Sequence, residues 1–178
     1  MNTGQCKRAI RFPKIGTNAL DGIFHNLIHG MGDCFGESWQ ESGLNLWGKW
    51  FVEQASRYSR ERMVFDRQIG ANQGIQFPIA KAHIQIEAAD LMRNRAVALF
   101  DAGAKCANET SMAKYIASEA AWEAAEAAMT TFGGYGVACE YDIERKWKES
   151  RLFRTAPLSN NLILAQIAQH ALDMPRSY

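Results

Sequence analysis

The sequence predicts an all-α fold, an antiparallel bundle of helices, and three observations carry that expectation. Between Asn72 and Ala102 the apolar residues Ile75, Ile79, Ala82, Ile86, Ala89, Ala96 and Leu99 fall on one helical face. In the stretch MAKYIASEAAWEAAEAAMTTF, Ala113, Ile116, Ala120, Ala124 and Ala127 make a seam of small side chains, against which another helix axis can approach closely. No stretch shows the clear alternation of a half-buried strand.

Taken in order, Met1 to Asp21 has no sustained periodicity and reads as a tail or loop, leaving 22–178 as one domain. Its basic residues Lys7, Arg8, Arg11 and Lys14 surround no apolar core of the kind a secretory signal needs. The expected location is cytoplasmic; an acid-poor start also suits the mitochondrial matrix, although it is short of serine and broken by Pro13. Ile23 to Met31 reads as a short helix ended by Gly30, with Phe24, Leu27 and Ile28 inward. Gly32 to Gly48 is glycine-rich, and each interior glycine costs a helix about 1 kcal/mol against alanine. It reads as a poor or broken helix, with Phe35, Trp39, Leu46 and Trp50 on one face. The next helix carries Phe51, Ala55 and Tyr58 and closes with Arg60, Glu61 and Arg62.

A polar corner follows from Met63 to Gly74, and its arginines, aromatic and amides suit an anion. Pro78 lacks an N–H, so the long helix beyond either starts just before it or bends there. Asp101-Ala-Gly103-Ala is a helix exit, and Asn108, Thr110 or Ser111 is the expected cap of the alanine-rich helix. Gly133-Gly134-Tyr135-Gly136 stops that helix. Two shorter pieces, Tyr141 to Arg151 and Leu158 to Met174, complete the chain before Pro175.

Composition excludes several functions. At 178 residues and 47% hydrophobic content the chain can bury one core. Its net charge of +1 argues against a nucleic-acid or anionic-membrane surface, and no apolar run reaches the roughly 20 residues of a membrane span. The scattered cysteines Cys6, Cys34, Cys106 and Cys139 form no CxxC pair and read as free thiols. His25 and His29 have metal-ligand spacing but no third ligand nearby, so a solvated helix face is preferred and no metal is expected. The Glu-x-x-His pairs of a di-iron bundle are missing from the sequence.

From about Gly48 to Tyr178 the chain resembles the C-terminal helical domain of the acyl-CoA dehydrogenase family. RERMVFDRQIGANQGIQFPIA, MAKYIASEAA, the GGYG stop followed by EYDIER, and RLFRTAPLSNNLIL carry the resemblance, in the family's order and spacing. IFHNLIHGM is similar to the entry of that domain, whereas the glycine-rich segment after it is not. The resemblance implies a four-helix bundle that in complete members follows an N-terminal helical domain and a middle β domain. It implies FAD as cofactor, homo-oligomers (dimers of dimers), and oxidation of an acyl-CoA thioester to the 2,3-enoyl form. A separate chain would then supply the missing domains. The rival expectation is a non-catalytic helical oligomerisation module.

The resemblance also assigns roles. Arg62 and Phe65 match the family's R-x-x-F-G corner, which reaches the FAD pyrophosphate across a subunit interface, and a guanidinium can give paired hydrogen bonds to phosphate. The bland alternative is that Arg62 caps its own helix. Gln73 matches a cofactor-contacting glutamine. Gly133 and Gly134 match glycines that bring backbone against the adenosine end, where a side chain would block the approach. The family's glycine after the phenylalanine is Asp66 here, and its glutamine before the paired glycines is Thr130. The family's catalytic glutamate lies either where this chain has Pro157, which cannot accept a proton, or near the first helix, where Asp33 and Glu37 are the candidates.

Overall fold

The computed structural model describes residues 34–156 and 158–176, with backbone only between 34 and 44. The tail expected over 1–21, the helix expected over Ile23–Met31 with His25 and His29, Asp33 and Pro157 lie outside the described residues. Among those described, the fold is helical. Helix α1 spans Cys34–Glu61, α2 Gln73–Asp101, α3 Ala107–Phe132, α4 Ile143–Leu152 and α5 Asn160–His170. Single 3-10 turns at Ile69–Ala71, Gly133–Val137 and Cys139–Tyr141 link them.

Helix α3 is the central element because its alanines are buried around most of its circumference. Ala117, Ala121, Ala125 and Ala128 are buried besides the expected Ala113, Ala120, Ala124 and Ala127. Phe51 and Ala55 of α1, Ile79, Ala82 and Ile86 of α2, and Ile143 of α4 close over Ala120, Ala124 and Phe132 to form the core. Small side chains on α3 let α1 and α2 approach while their larger residues fill the space.

The glycine-rich stretch is not broken: from Cys34 onward it is part of the 28-residue α1. Gly48 explains why packing overrides propensity. A Cβ there would lie 2.9 Å from Cδ1 of Ile86, so the glycine is a contact point between α1 and α2 rather than a helix breaker. The inward face is Asn45, Phe51, Ala55 and Ser59, and Leu46 points outward, contrary to the expected face. A buried polar bolt ties the same two helices: Asp90 accepts from Asn45 Nδ2 at 2.7 Å and pairs with Lys49 and with Arg93. Burial works to raise the Asp90 pKa, but hydrogen bonds from Lys49 and Asn45 and the charges of Arg93 and Lys49 outweigh it and hold the carboxyl below its usual value.

In α2, Pro78 sits inside the helix, which starts at Gln73. The missing N–H leaves only an exposed carbonyl near the helix start unmatched. The exit is as expected: Gly103 has φ +67°, and the Ala104 amide donates to Leu99 O at 2.9 Å. The start of α3 differs. Its cap is Cys106, with no side-chain hydrogen bond, and Asn108, Thr110 and Ser111 lie within the helix. The Thr110 hydroxyl, buried, donates back to Cys106 O at 2.9 Å instead. Cys106 is disulfide-bonded, which corrects the expectation of free thiols throughout. Cys139 is an exposed cysteine outside any disulfide.

The segment between α4 and α5 is held by Lys114 of α3, which is buried. Its ammonium donates to Phe153 O at 2.9 Å, Leu158 O at 2.7 Å and Asn160 Oδ1 at 2.7 Å. Asn160 Nδ2 donates to Glu119 Oε1, which also pairs with Arg154 at 2.8 Å. Ser159 caps α5 by accepting from the Leu162 amide.

Candidate functional site

The corner after α1 is a tight hairpin, not the strand-free loop expected. Met63–Val64 pairs antiparallel with Arg67–Gln68, in the register Met63 with Gln68 and Val64 with Arg67. Only Phe65 and Asp66 remain for the turn, and both take positive φ, 50° and 58°. Such a turn matches the twist of the two strands, but a bulky residue adopts that conformation at a cost. Side chains brace it: Gln68 Nε2 donates to Arg60 O at 2.8 Å, Arg67 Nη2 to Ala71 O at 3.1 Å, and Gln76 Nε2 to Gly70 O at 2.7 Å. Gly70 lets the corner lie against α1, since a Cβ there would meet Ser59 O at 2.8 Å.

The other wall comes from the end of α3. Gly133 terminates the helix at φ 57°, ψ −130°, a conformation that favours glycine. A Cβ added at Gly133 or at Gly134 would meet nothing within 4 Å, so both backbones face open space. Between the two walls lies a cavity of about 590 Å³, lined by Tyr58 of α1, Arg62 just past its end, Val64 and Ile69 of the corner, and Phe132, Gly133, Gly134 and Tyr135.

Its floor is aromatic. Tyr58 stacks on Phe132 with centroids 4.1 Å apart, and Tyr141 meets Phe132 edge-on at 5.3 Å and Tyr135 at 5.8 Å. The Arg62 guanidinium carbon lies 5.5 Å from the Tyr135 ring centroid. Burial raises the pKa of the Tyr58 hydroxyl, against the opposing charge of Arg62, so it is a neutral donor at physiological pH. A guanidinium, flat rings and unobstructed glycine backbone together suit an anion that carries a planar ring.

The structure therefore brings Arg62, Gly133 and Gly134 together. Phe65 is 97% exposed at the hairpin tip, and Gln73, the exposed first residue of α2, does not line the cavity. Asp66 is likewise exposed at the tip, so its carboxylate stands outside the lining. Glu37 belongs to α1, where only backbone is described. Among the described residues no carboxylate lines the cavity, and no cluster of three or more His, Cys, Asp or Glu could hold a metal. Sequence reasoning missed Tyr58, Phe132, Tyr135 and Tyr141 as one surface. The aromatic inside GGYG and the one in EYDIER were the available signals.

Comparison with known proteins decides the family. Residues 48–172 match the family model described as acyl-CoA dehydrogenase, C-terminal domain. The chain belongs to the acyl-CoA dehydrogenase family. An acyl-CoA dehydrogenase of Mycobacterium tuberculosis is 38% identical over 133 residues, which are 74% of this chain and 34% of that protein. The chain thus spans about a third of the length of such relatives. A glutaryl-CoA dehydrogenase solved with glutaryl-CoA superposes with a TM-score of 0.73 at 28% identity, over 79% of this chain and 36% of that one. PigA, solved as an FAD complex, gives 0.66 at 26% identity over 68% of this chain and 32% of its own. As in the sequence reading, the expected fold is helical and of this family's C-terminal type. Among the described residues no helix is long and apolar enough to cross a membrane.

Proposed function

We propose that this chain is the C-terminal helical domain of an FAD-dependent acyl-CoA dehydrogenase, acting on the CH–CH group of an acyl-CoA thioester. The observation that carries the reading is the meeting of Arg62 with Gly133 and Gly134 in one cavity, from positions just past the ends of two separate helices. The residues fit the group. Arg62 offers paired hydrogen bonds to a pyrophosphate, and the bare glycines leave room for the adenosine end, where a Cβ would intrude. When bound, FAD supplies the hydride acceptor. Phe65, held outward on the braced hairpin, meets cofactor from a neighbouring copy in a homo-oligomer, a dimer or tetramer. Gln73 joins the same contact from the start of α2.

Proton removal from the substrate needs a carboxylate, and Glu37 and Asp33 are the ones to test. Flavin reduction also needs domains besides this one, because water exclusion around a flavin ring exceeds what one helical domain provides. The setting is the cytoplasm or the mitochondrial matrix. Phe65, 97% exposed at the hairpin tip, favours a second reading, a helical oligomerisation module without catalysis. Spectroscopy separates the two. A purified chain with a flavin spectrum that acyl-CoA bleaches supports the enzyme; one that stays colourless with added FAD sinks it.

A further inference from the structure

We infer that Tyr135 is a positioning residue for Arg62, its ring holding the guanidinium at the cavity mouth before an anion arrives. The inference deepens the reading of the cavity as a cofactor site and rests on it. Arg62 is exposed, lies one residue past the end of α1, and has no ion pair with a carboxylate among the described residues. A long side chain left free loses rotamer freedom when it grips a ligand, and that loss weakens binding. Here the loss is met in advance. The guanidinium carbon sits 5.5 Å from the Tyr135 centroid, within range of attraction by the face of the ring.

Tyr135 can serve because it is itself anchored. Its ring meets Tyr141 at 5.8 Å and 69°, and Tyr141 meets Phe132 at 5.3 Å and 65°. Phe132 is buried and stacked on Tyr58. A continuous run of rings thus leads from the core to the arginine. The glycines on either side of Tyr135 differ in use. Gly134 faces open space, while a Cβ at Gly136 would meet Met129 O at 3.3 Å, which fixes the turn bearing the tyrosine against α3.

The test is FAD titration of the full chain by flavin fluorescence, in four variants of matched helicity. Tyr135→Phe keeps the ring face and should bind as the parent does. Tyr135→Leu should weaken binding about two- to fivefold, the range of an exposed cation–ring contact. In an Arg62→Ala background, Tyr135→Leu should change nothing further. An equal loss in both backgrounds would mean that the ring touches the ligand itself and would overturn the positioning role, as would an unaffected Tyr135→Leu. A parent chain that binds no FAD would end the cofactor reading instead. The contact is then judged by nitrogen–proton NMR of the Arg62 Nε–H, whose ring-induced upfield shift should survive Tyr135→Phe and vanish in Tyr135→Leu. A resonance identical in all three overturns the inference.

Discussion

Replacing Lys114 with methionine should cost about 3 kcal/mol of folding stability, a large effect for a residue remote from the candidate site. Methionine keeps the stem's bulk and removes the ammonium. That ammonium reaches Phe153 O, Leu158 O and Asn160 Oδ1 at 2.7 to 2.9 Å, from a position only 5% exposed. Hydrogen bonds from a charged donor are worth roughly 1.5–3 kcal/mol each, and a buried acceptor left alone costs roughly 1–3. The full sum overstates the loss, because the segment between α4 and α5 can relax and water can reach its carbonyls. About 3 kcal/mol lowers the melting temperature by about 6–12 °C for a chain of this size. Urea unfolding followed by circular dichroism should show the midpoint falling with an unchanged slope. Lys105→Met, at an exposed loop lysine, is the control and should be nearly neutral. A Lys114→Met loss no larger than the control's would refute the claim that this lysine clamps the segment.

Gly48→Ala should destabilise by about 1–2 kcal/mol despite alanine's better helix propensity, because the new Cβ meets the fully buried Ile86. Ile86→Val should recover part of that loss, and strict additivity in urea unfolding would contradict the contact. Asp90 has a lowered folded pKa, so its stabilisation is present above the unfolded value of about 3.9 and fades as pH falls through the lower folded one. The parent should therefore lose stability more steeply below about pH 4 than Asp90→Asn does; equal slopes in acid titrations of the urea midpoint would exclude the ion-pair account. Gly133→Ala should cost about 1–3 kcal/mol through its positive φ, whereas Gly134→Ala should unfold like the parent yet bind FAD less well. Unaltered binding by Gly134→Ala would remove that glycine from the contact.

The parts of the fold legible in the sequence were those set by local period. The face Ile79, Ala82, Ile86 and Ala89 reads directly from spacing and is buried as spacing requires. The glycine exits at Gly103 and Gly133 follow from the conformations only glycine adopts without strain. Gly48 misled because propensity counts what a glycine costs its own helix and not what its bareness allows a neighbour. The polar run Asn108, Thr110, Ser111 misled similarly: those types suit a cap, but the buried hydroxyl of Thr110 bonds within the helix. At the site, Arg62, Gly133 and Gly134 came from the family resemblance, and their shared cavity came only with tertiary structure. The aromatic floor was invisible because Tyr58, Phe132, Tyr135 and Tyr141 are contributed by separate elements.

The central claim is that the cavity between Arg62 and the paired glycines holds FAD. Its most direct test is calorimetric titration of FAD into the full chain and into Arg62→Ala. Saturable binding by the parent, weakened about tenfold or more in the variant with helicity and urea midpoint unchanged, is the predicted result. Equal affinity in the two proteins, or no binding by the parent, would contradict it.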